Sequence, residues 1–492
     1  MVFLPELILA AGALGLFVVS LGEGRGRLAK RVAAVTALAS VICCAICLDQ
    51  EGLVFDGAYQ VDAFSQWLKL AFAVGFSLVV LLSGDLPDIR PDVKPEYFMF
   101  ITLSVLGLQT LVSSIDLVPL VVSIELASFP LYFLVAMRTE GEHHRIQMES
   151  AIKYVVFGIT STGVMLFGMS YLFGLTGTTS IPIMTARLSG MANSPMVIVG
   201  LALTFSGLLY KLAVFPFHFW TPDVYQGASN ETTGLIASLP KVGAVAVLVR
   251  LMPMATPDNK SIALLLTCLA VASMCYGNLI ALWQKDLKRL LAFSGIAHAG
   301  YALIGLVALD QEGYTAALYY IVAYLFMILA CFAVICQLSR NGANISVEDL
   351  AGLHRRSPLL AATLLVGVFA LAGIPPFAGF MGKFTLLKAA LTKGHLALVV
   401  IAVINTAIAI YYYLNLVREA WLSEPRDLSP IALRWPARTL CVSLIAGIVA
   451  LGVFPGRLLD SVYASLKPQK HSVRLASPPL TPNSVEVVKV HL

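Results

Sequence analysis

Apolar runs of about twenty residues recur along the whole chain, and no other feature limits its fold so strongly. At 1.5 Å of rise per residue, about twenty residues in a helix cross the ~30 Å hydrocarbon core of a bilayer. Fourteen such runs can be laid out, at 3–21, 32–48, 63–82, 97–112, 117–137, 151–173, 196–220, 232–251, 262–283, 290–309, 314–338, 359–391, 396–417 and 439–454. Strands that cross a membrane alternate polar and apolar residues over about ten positions, a pattern the sequence lacks. Only 12% of the 492 residues are charged, about half of the roughly 25% usual in soluble domains. The expectation is an all-α polytopic membrane protein of about fourteen transmembrane helices. The joining loops are short, so this chain offers no soluble domain for a nucleotide, flavin or iron–sulfur cluster, and no cofactor site is expected in it.

The net charge of +5 is small for this length and says little about partners; no nucleic-acid partner is expected. Its distribution says more. Arg25, Arg27, Lys30 and Arg31 follow the first run, and Lys285, Lys288 and Arg289 follow the ninth, with Lys285 and Lys288 read as loop charges. Arg340, Arg355 and Arg356 follow the eleventh, and Arg418, Arg426, Arg434 and Arg438 lie around the loop after the thirteenth. All these loops fall on one side. The other side carries Asp49, Glu51, Asp56, Asp310 and Glu312. The positive-inside rule then places the basic loops in the cytoplasm and both termini outside a bacterial inner membrane. No Lys or Arg precedes the first run, so it is read as a retained span, because a cleavable signal begins with a basic segment. Residues 455–492 are Pro- and Ser-rich and read as a polar tail without fixed structure. All eight cysteines lie in apolar runs. Cys43, Cys44 and Cys47 cluster without a nearby histidine, so they are read as packing residues and no metal site is expected.

Ionisable groups at bilayer depth are costly, about 2.5–3.5 kcal/mol for Lys or Asp at a helix centre, and are functional candidates for that reason. Glu125 lies near the centre of the fifth run, Lys211 and Lys241 lie well inside the seventh and eighth, and Lys383 lies inside the twelfth. Lys153 sits near a helix end, where it can snorkel to the interface. His298 and Tyr301 lie in the tenth run, and His218 follows the proline of the seventh. Burial and pairing shift a titratable group in opposite senses, so such a group can stand near a proton-exchange threshold and be tipped by its neighbour. One carboxylate with several lysines therefore suits a proton relay. A sodium path would need clustered oxygen ligands, and ammonium groups repel a cation.

Two runs are interrupted. The seventh carries Pro216, and the twelfth carries Gly373, Pro375 and Pro376. Proline removes a backbone donor, and such a break is tolerated at membrane depth only where protein buries it or a polar cavity lies beside it. The breaks stand five runs apart, each with a lysine close by. Pro/Gly-interrupted spans in matching positions of two halves point to a repeated transporter fold. Because five is odd, the second copy is inverted. The expected division is three helices in 1–96, a first repeat in 97–251 (spans 4–8), a second in 262–417 (spans 9–13), a fourteenth span at 439–454 and the tail.

The stretch YKLAVFPFHFWTPDVYQGA (210–228), with ESAIKYVVFG before it, resembles the antiporter-like subunits of respiratory complex I, most closely the subunit N branch of bacterial NADH-quinone oxidoreductase. SIELASFPLY around Glu125, QKDLKRLLAFSGIAHAGY from Gln284 and GIPPFAGFMGKF from Gly373 extend the resemblance over nearly the whole chain. Relatives of the L, M and Mrp antiporter types resemble a WLPxAH pattern where this chain has Trp220-Thr221-Pro222-Asp223. The resemblance implies a fourteen-span fold with two inverted five-helix repeats. It implies a non-redox subunit of a proton-translocating enzyme, with Glu125, Lys211, Lys241 and Lys383 as the relay. NADH, FMN, iron–sulfur clusters and quinone would belong to partner subunits, and the membrane neighbours would be subunits of the M, K and J types. A cation/proton antiporter working alone or in an Mrp-type assembly, and an inert spacer, are the competing readings.

Overall fold

The computed structural model describes residues 2–138, 144–255, 259–425 and 429–466. Arg426 and residues 467–492 of the tail lie outside the described residues. The chain runs through α1 (Leu4–Ser20), α2 (Gly26–Ile46), a hairpin of β1 (Gly52–Val54) and β2 (Tyr59–Val61), α3 (Ala63–Leu82), α4 (Lys94–Ser113), α5 (Leu117–Ala136), α6 (His144–Thr176), α7 (Ile181–Leu188), α8 (Pro195–Leu212), α9 (Trp220–Gly227) and α10 (Asn230–Leu251). It continues through α11 (Lys260–Ala281), α12 (Leu287–Val307), α13 (Gln311–Leu338), α14 (Leu353–Arg356), α15 (Pro358–Ala372), α16 (Ala378–Thr392), α17 (Leu396–Leu422), α18 (Trp435–Val453) and α19 (Pro455–Ser465).

Among the described residues twelve helical segments are long and apolar enough to cross a membrane, and α1 and α15 are shorter apolar helices. Each of the fourteen expected runs falls on these elements, the seventh on α8 and the start of α9, the twelfth on α15 and α16. Helix starts follow local chemistry. Asp62, Asp116, Ser229, Asn259, Asp286 and Asp310 each accept a bond from a backbone N–H in the first turn of the helix that follows. The interior is unusually complete. Every residue of α12 except Arg289 is buried, and α10 leaves only Pro240 and Arg250 partly exposed. Helices α1, α2, α6 and α17 turn large apolar side chains such as Leu14, Val35, Phe167 and Val403 outward, as lipid-facing helices must.

Several expectations need correction. Helix α2 begins at Gly26, so Arg27, Lys30 and Arg31 stand in its first turns rather than in a loop, and Lys30 Nζ reaches the Gly84 carbonyl at 2.6 Å. Lys288 is not a loop charge. It is the second residue of α12 and is fully buried. Residues 455–465 form α19 rather than part of a polar tail. Leu458, Val462 and Leu466 recur every four residues and pack on the core, the spacing of an amphipathic helix. Gln311 Nε2 ties it down through the Tyr463 carbonyl at 2.6 Å.

The chain makes one backbone pattern twice. Leu117 N bonds Thr179 O and Ile181 N bonds Ile115 O, both at 2.9 Å, around Asp116 at the start of α5. Leu287 N bonds Ile345 O at 3.0 Å and Val347 N bonds Lys285 O at 2.9 Å, around Asp286 at the start of α12. The first crossing lies on the face that carries the hairpin, since Ile115 N also bonds Ala58 O at 3.1 Å. The second lies on the opposite face, with the basic loops.

The breaks repeat as well. Ala213, after α8, has φ 64° and Gly373, after α15, has φ 87°. Each ends its helix in a left-handed cap, completed by Val214 N to Leu209 O at 2.9 Å and Ile374 N to Phe369 O at 3.0 Å. Pro216 and Pro376 each follow a cis peptide bond. The freed Phe215 N–H is met by Ser273 Oγ of α11 at 3.0 Å, so the first break is satisfied inside the protein.

Candidate functional site

Lys211 occupies the last turn of α8, beside the left-handed Ala213. Its Nζ donates to Ser128 Oγ at 2.7 Å and Tyr132 OH at 3.3 Å, both on α5, and lies 5.6 and 5.5 Å from the ring centres of Tyr132 and Tyr210. A cavity of about 20 Å³, the room of one water, is lined by Ser128, Lys211, Trp220, Pro240 and Ala244 among others. Glu125 sits one turn before Ser128 on α5, where its Oε1 accepts from Thr162 Oγ1 at 2.7 Å. Among the described residues no ion pair within 4 Å joins Glu125 to Lys211. Ser128 and Tyr132 are the lysine's direct partners. Trp220 packs rather than titrates: its ring stacks on Tyr154 at 4.8 Å and its Nε1 donates to the Tyr210 carbonyl at 3.1 Å.

Pro240, which lines that cavity, precedes Lys241 on α10. Lys241 is 1% exposed, and its Nζ donates to the Gly295 carbonyl of α12 at 3.2 Å with the Tyr324 ring centre 5.2 Å away. Gly295 is what makes the room. A Cβ there would stand 2.8 Å from Lys241 Nζ and 3.0 Å from Tyr324 OH.

One turn along α12, His298 bridges two tyrosines, with Nδ1 2.5 Å from Tyr320 OH and Nε2 2.9 Å from Tyr413 OH. Tyr413 OH is also 2.5 Å from Ser294 Oγ, beside Gly295. Tyr301 OH donates to the Ala402 carbonyl at 3.0 Å and meets Thr406 Oγ1 at 2.8 Å. Its ring centre lies 4.7 Å from Lys383 Nζ. Lys383 Nζ donates at 3.1 Å to both Leu371 O and Ala372 O, the open carbonyls that end α15. A cation there meets the negative end of a helix dipole. The break thus exposes carbonyls, and the lysine of α16 occupies them.

The arrangement brings Lys241, His298, Tyr301 and Lys383 into one file of polar groups through the interior. Imidazole and phenol can each accept a proton on one side and release one on the other. Lys153 stands apart. It pairs with Glu149 at 2.5 Å and Asp223 at 2.7 Å, and Asp223 also holds Arg289 at 3.1 Å. His218 lies in the first break, stacked between Phe215 (5.3 Å) and Phe219 (4.7 Å) and 4.5 Å from Tyr276. A cluster of charges that sequence reading passed over stands on the basic face. Arg138 Nε pairs with Asp88 at 3.2 Å. Its terminal nitrogens donate to the carbonyls of Gln226, Gly227 and Ala228 at 3.1–3.3 Å and of Gly342 at 2.8 Å. Lys288 Nζ donates to the Ala228 carbonyl at 2.8 Å. These cations hold the carboxyl end of α9. Burial pushes the Asp88 carboxyl above its ordinary value, against the pull of Arg138.

A family profile described as NADH:quinone oxidoreductase/Mrp antiporter, TM matches residues 114–409. A protein of Opitutus terrae named NADH-quinone oxidoreductase subunit N 2 is 59% identical over 94% of this chain and 97% of its own length. The chain belongs to the NADH-quinone oxidoreductase subunit N family. A member from Syntrophobacter fumaroxidans, of the same name, is 42% identical over 95% of this chain and 99% of its own. Among solved structures, a chain of respiratory complex I from Thermus thermophilus with bound Aureothin matches with a TM-score of 0.81 at 30% identity, covering 94% of this chain and all of that one. A chain of the Mrp complex from Dietzia sp. matches with a TM-score of 0.84 at 21% identity over 94% and 96%, a likeness of fold alone. The family profile begins at residue 114 and so leaves α1 to α4 and the hairpin outside it.

Proposed function

We propose that the chain is a proton-translocating membrane subunit of an NADH-quinone oxidoreductase, a non-redox member of that enzyme. The single observation that carries this reading is the interior file, in which Lys241 and Lys383 share one axis with His298 and a set of tyrosines. Two buried lysines along a packed axis would be a heavy cost in a helix bundle that had no use for them. The names of the relatives and the complex I neighbour support the assembly. NADH, FMN, iron–sulfur clusters and quinone then belong to partner subunits, and subunits of the M, K and J types are the membrane neighbours. The basic face is cytoplasmic and the hairpin face lies outside the bacterial inner membrane, with both termini there. Spans 4–8 and 9–13 are two inverted five-helix repeats, a reading supported by the two crossings on opposite faces.

In this mechanism a disturbance arriving from the partner subunits acts on Glu125. A carboxylate near an ammonium favours its charged form, and withdrawing it favours release. Ser128, one turn past Glu125 on α5 and bonded to the Lys211 ammonium, couples them. The Lys211 proton passes by way of the small cavity to Lys241, whose own proton moves along Ser294, Tyr413 and His298 toward Tyr301 and Lys383. From Lys383 it leaves on the hairpin face. The stand-alone antiporter reading rests on fold likeness. Purified chain in vesicles should carry no cations without its partners. Lys211→Ala in the assembled complex should lower proton translocation by about tenfold or more, with assembly retained. Pumping at the unaltered rate would refute the relay.

A further inference from the structure

Helices α1 to α4 enclose a polar site that the relay does not use. Glu6 of α1 and Lys69 of α3 form an ion pair with Nζ 2.6 Å from Oε1, and both side chains are 1% exposed or less. Tyr59 of β2 donates to the same Oε1 at 2.5 Å, and Lys69 Nζ lies 5.2 Å from the Tyr59 ring centre. Gln109 of α4 reaches the Lys69 carbonyl and Ser40 Oγ, each at 3.4 Å. Glu6 Oε2, Gln66 Oε1 and Gln109 Oε1 are buried without a hydrogen-bond partner. A buried polar atom of this kind is ordinarily met by water. Three of them around one ion pair are more than a bond between helices needs.

The site lies toward the hairpin face, two turns into α3. The groups that face it are Tyr59 from the hairpin, Cys43, Cys44 and Cys47 from α2, and Gln109 from α4. The bidentate Asp62–Arg250 pair lies near it, at the outer ends of α3 and α10. On its far side α4 packs tightly on the relay. Ser104 Oγ donates to the Ala127 carbonyl at 2.7 Å, and a Cβ on Gly107 would come 2.3 Å from Ala127 N, within one turn of both Glu125 and Ser128.

We propose that Glu6 and Lys69 form a second proton-exchange site, hydrated from the hairpin face past Tyr59 and coupled to the Glu125 end of the relay through α4. It rests on the proton-translocating reading above. The step balances within the pair. Lys69 gives one proton from Nζ to the Glu6 carboxylate, leaving a neutral amine and a neutral acid, and each is restored by one proton exchanged with water on the hairpin face.

The test uses the complete enzyme complex in sealed vesicles, with assembled complex quantified in the membrane. Glu6→Leu combined with Lys69→Met removes both charges together, a replacement that buried ion pairs tolerate. The expected result is normal assembly with proton translocation lowered about fivefold or more. Glu6→Gln alone should lower it too and shift the pH dependence of turnover. A double variant that assembles and pumps normally would make the pair a bond between helices and overturn the proposal. A double variant that fails to assemble would overturn it as well, by making the pair structural. Lys211→Ala in the same vesicles separates the two claims. If it abolishes pumping while the double variant does not, only the second site falls. If it too pumps normally, the relay falls and the second site with it.

Discussion

At the residue scale, Gly295 is the position where the smallest change should matter most. Its missing side chain is the space that Lys241 Nζ and Tyr324 OH occupy. Gly295→Ala should push the ammonium off the Gly295 carbonyl and slow pumping, with an overpacking cost of about 1–3 kcal/mol. Turnover of the assembled complex in vesicles checks this. Asp62 gives a pH prediction. Burial raises its carboxyl, but Arg250, at 2.8 and 3.1 Å, and the Ser65 N–H outweigh that and hold it below its ordinary value. Its folded pKa is depressed, so the stability it contributes is present above about pH 4 and is lost as pH falls through the folded value. The thermal unfolding temperature of the solubilised protein should fall on acidification below about pH 4, and Asp62→Asn should flatten that loss. Glu125, Lys211, Lys241 and Lys383 stand out in the sequence as candidates because a charge inside a twenty-residue apolar run has few bland explanations. Lys69 and Glu6 carry the same signal, seven residues into one run and four into another. Lys288 was hidden for a different reason. Its Nζ donates to the Ala228 carbonyl just past α9, a contact made sixty residues away in sequence.

At the element scale, the two broken helices work by different means. Break one ends α8 beside Lys211, whose ammonium reaches sideways to α5. Break two exposes the last carbonyls of α15, and Lys383 returns from α16 to hold them. The prolines and the glycine announced both breaks in the sequence. The left-handed cap at Ala213 was not legible, since alanine gives no hint of positive φ. Helix α9 is held from outside itself, by Arg138 and Lys288 on its carboxyl end. Arg138→Ala would leave Asp88 buried without that partner and the α9 carbonyls without their cation. The expected cost is about 3–5 kcal/mol, read as reduced assembled complex in the membrane with Lys211 unchanged. The apolar helices themselves were legible from run length. The hairpin, α7 and α19 were not, because short elements at a membrane surface carry no twenty-residue signal.

At the scale of the whole molecule, a densely packed axis of α10, α12 and α13 carries Lys241 and buried phenols, with lipid-facing helices around it. Twinned backbone crossings stand on opposite faces of the bundle. The proposed relay depends on the lysines exchanging protons rather than standing as fixed charges. Arginine separates those two roles, because it keeps the cation and does not deprotonate in proteins. The decisive measurement is therefore proton translocation by the assembled complex in sealed vesicles carrying Lys241→Arg, beside Lys241→Ala. The relay predicts that both variants lose most of the pumping. Normal pumping by Lys241→Arg would show that only the charge is needed, and would contradict the account.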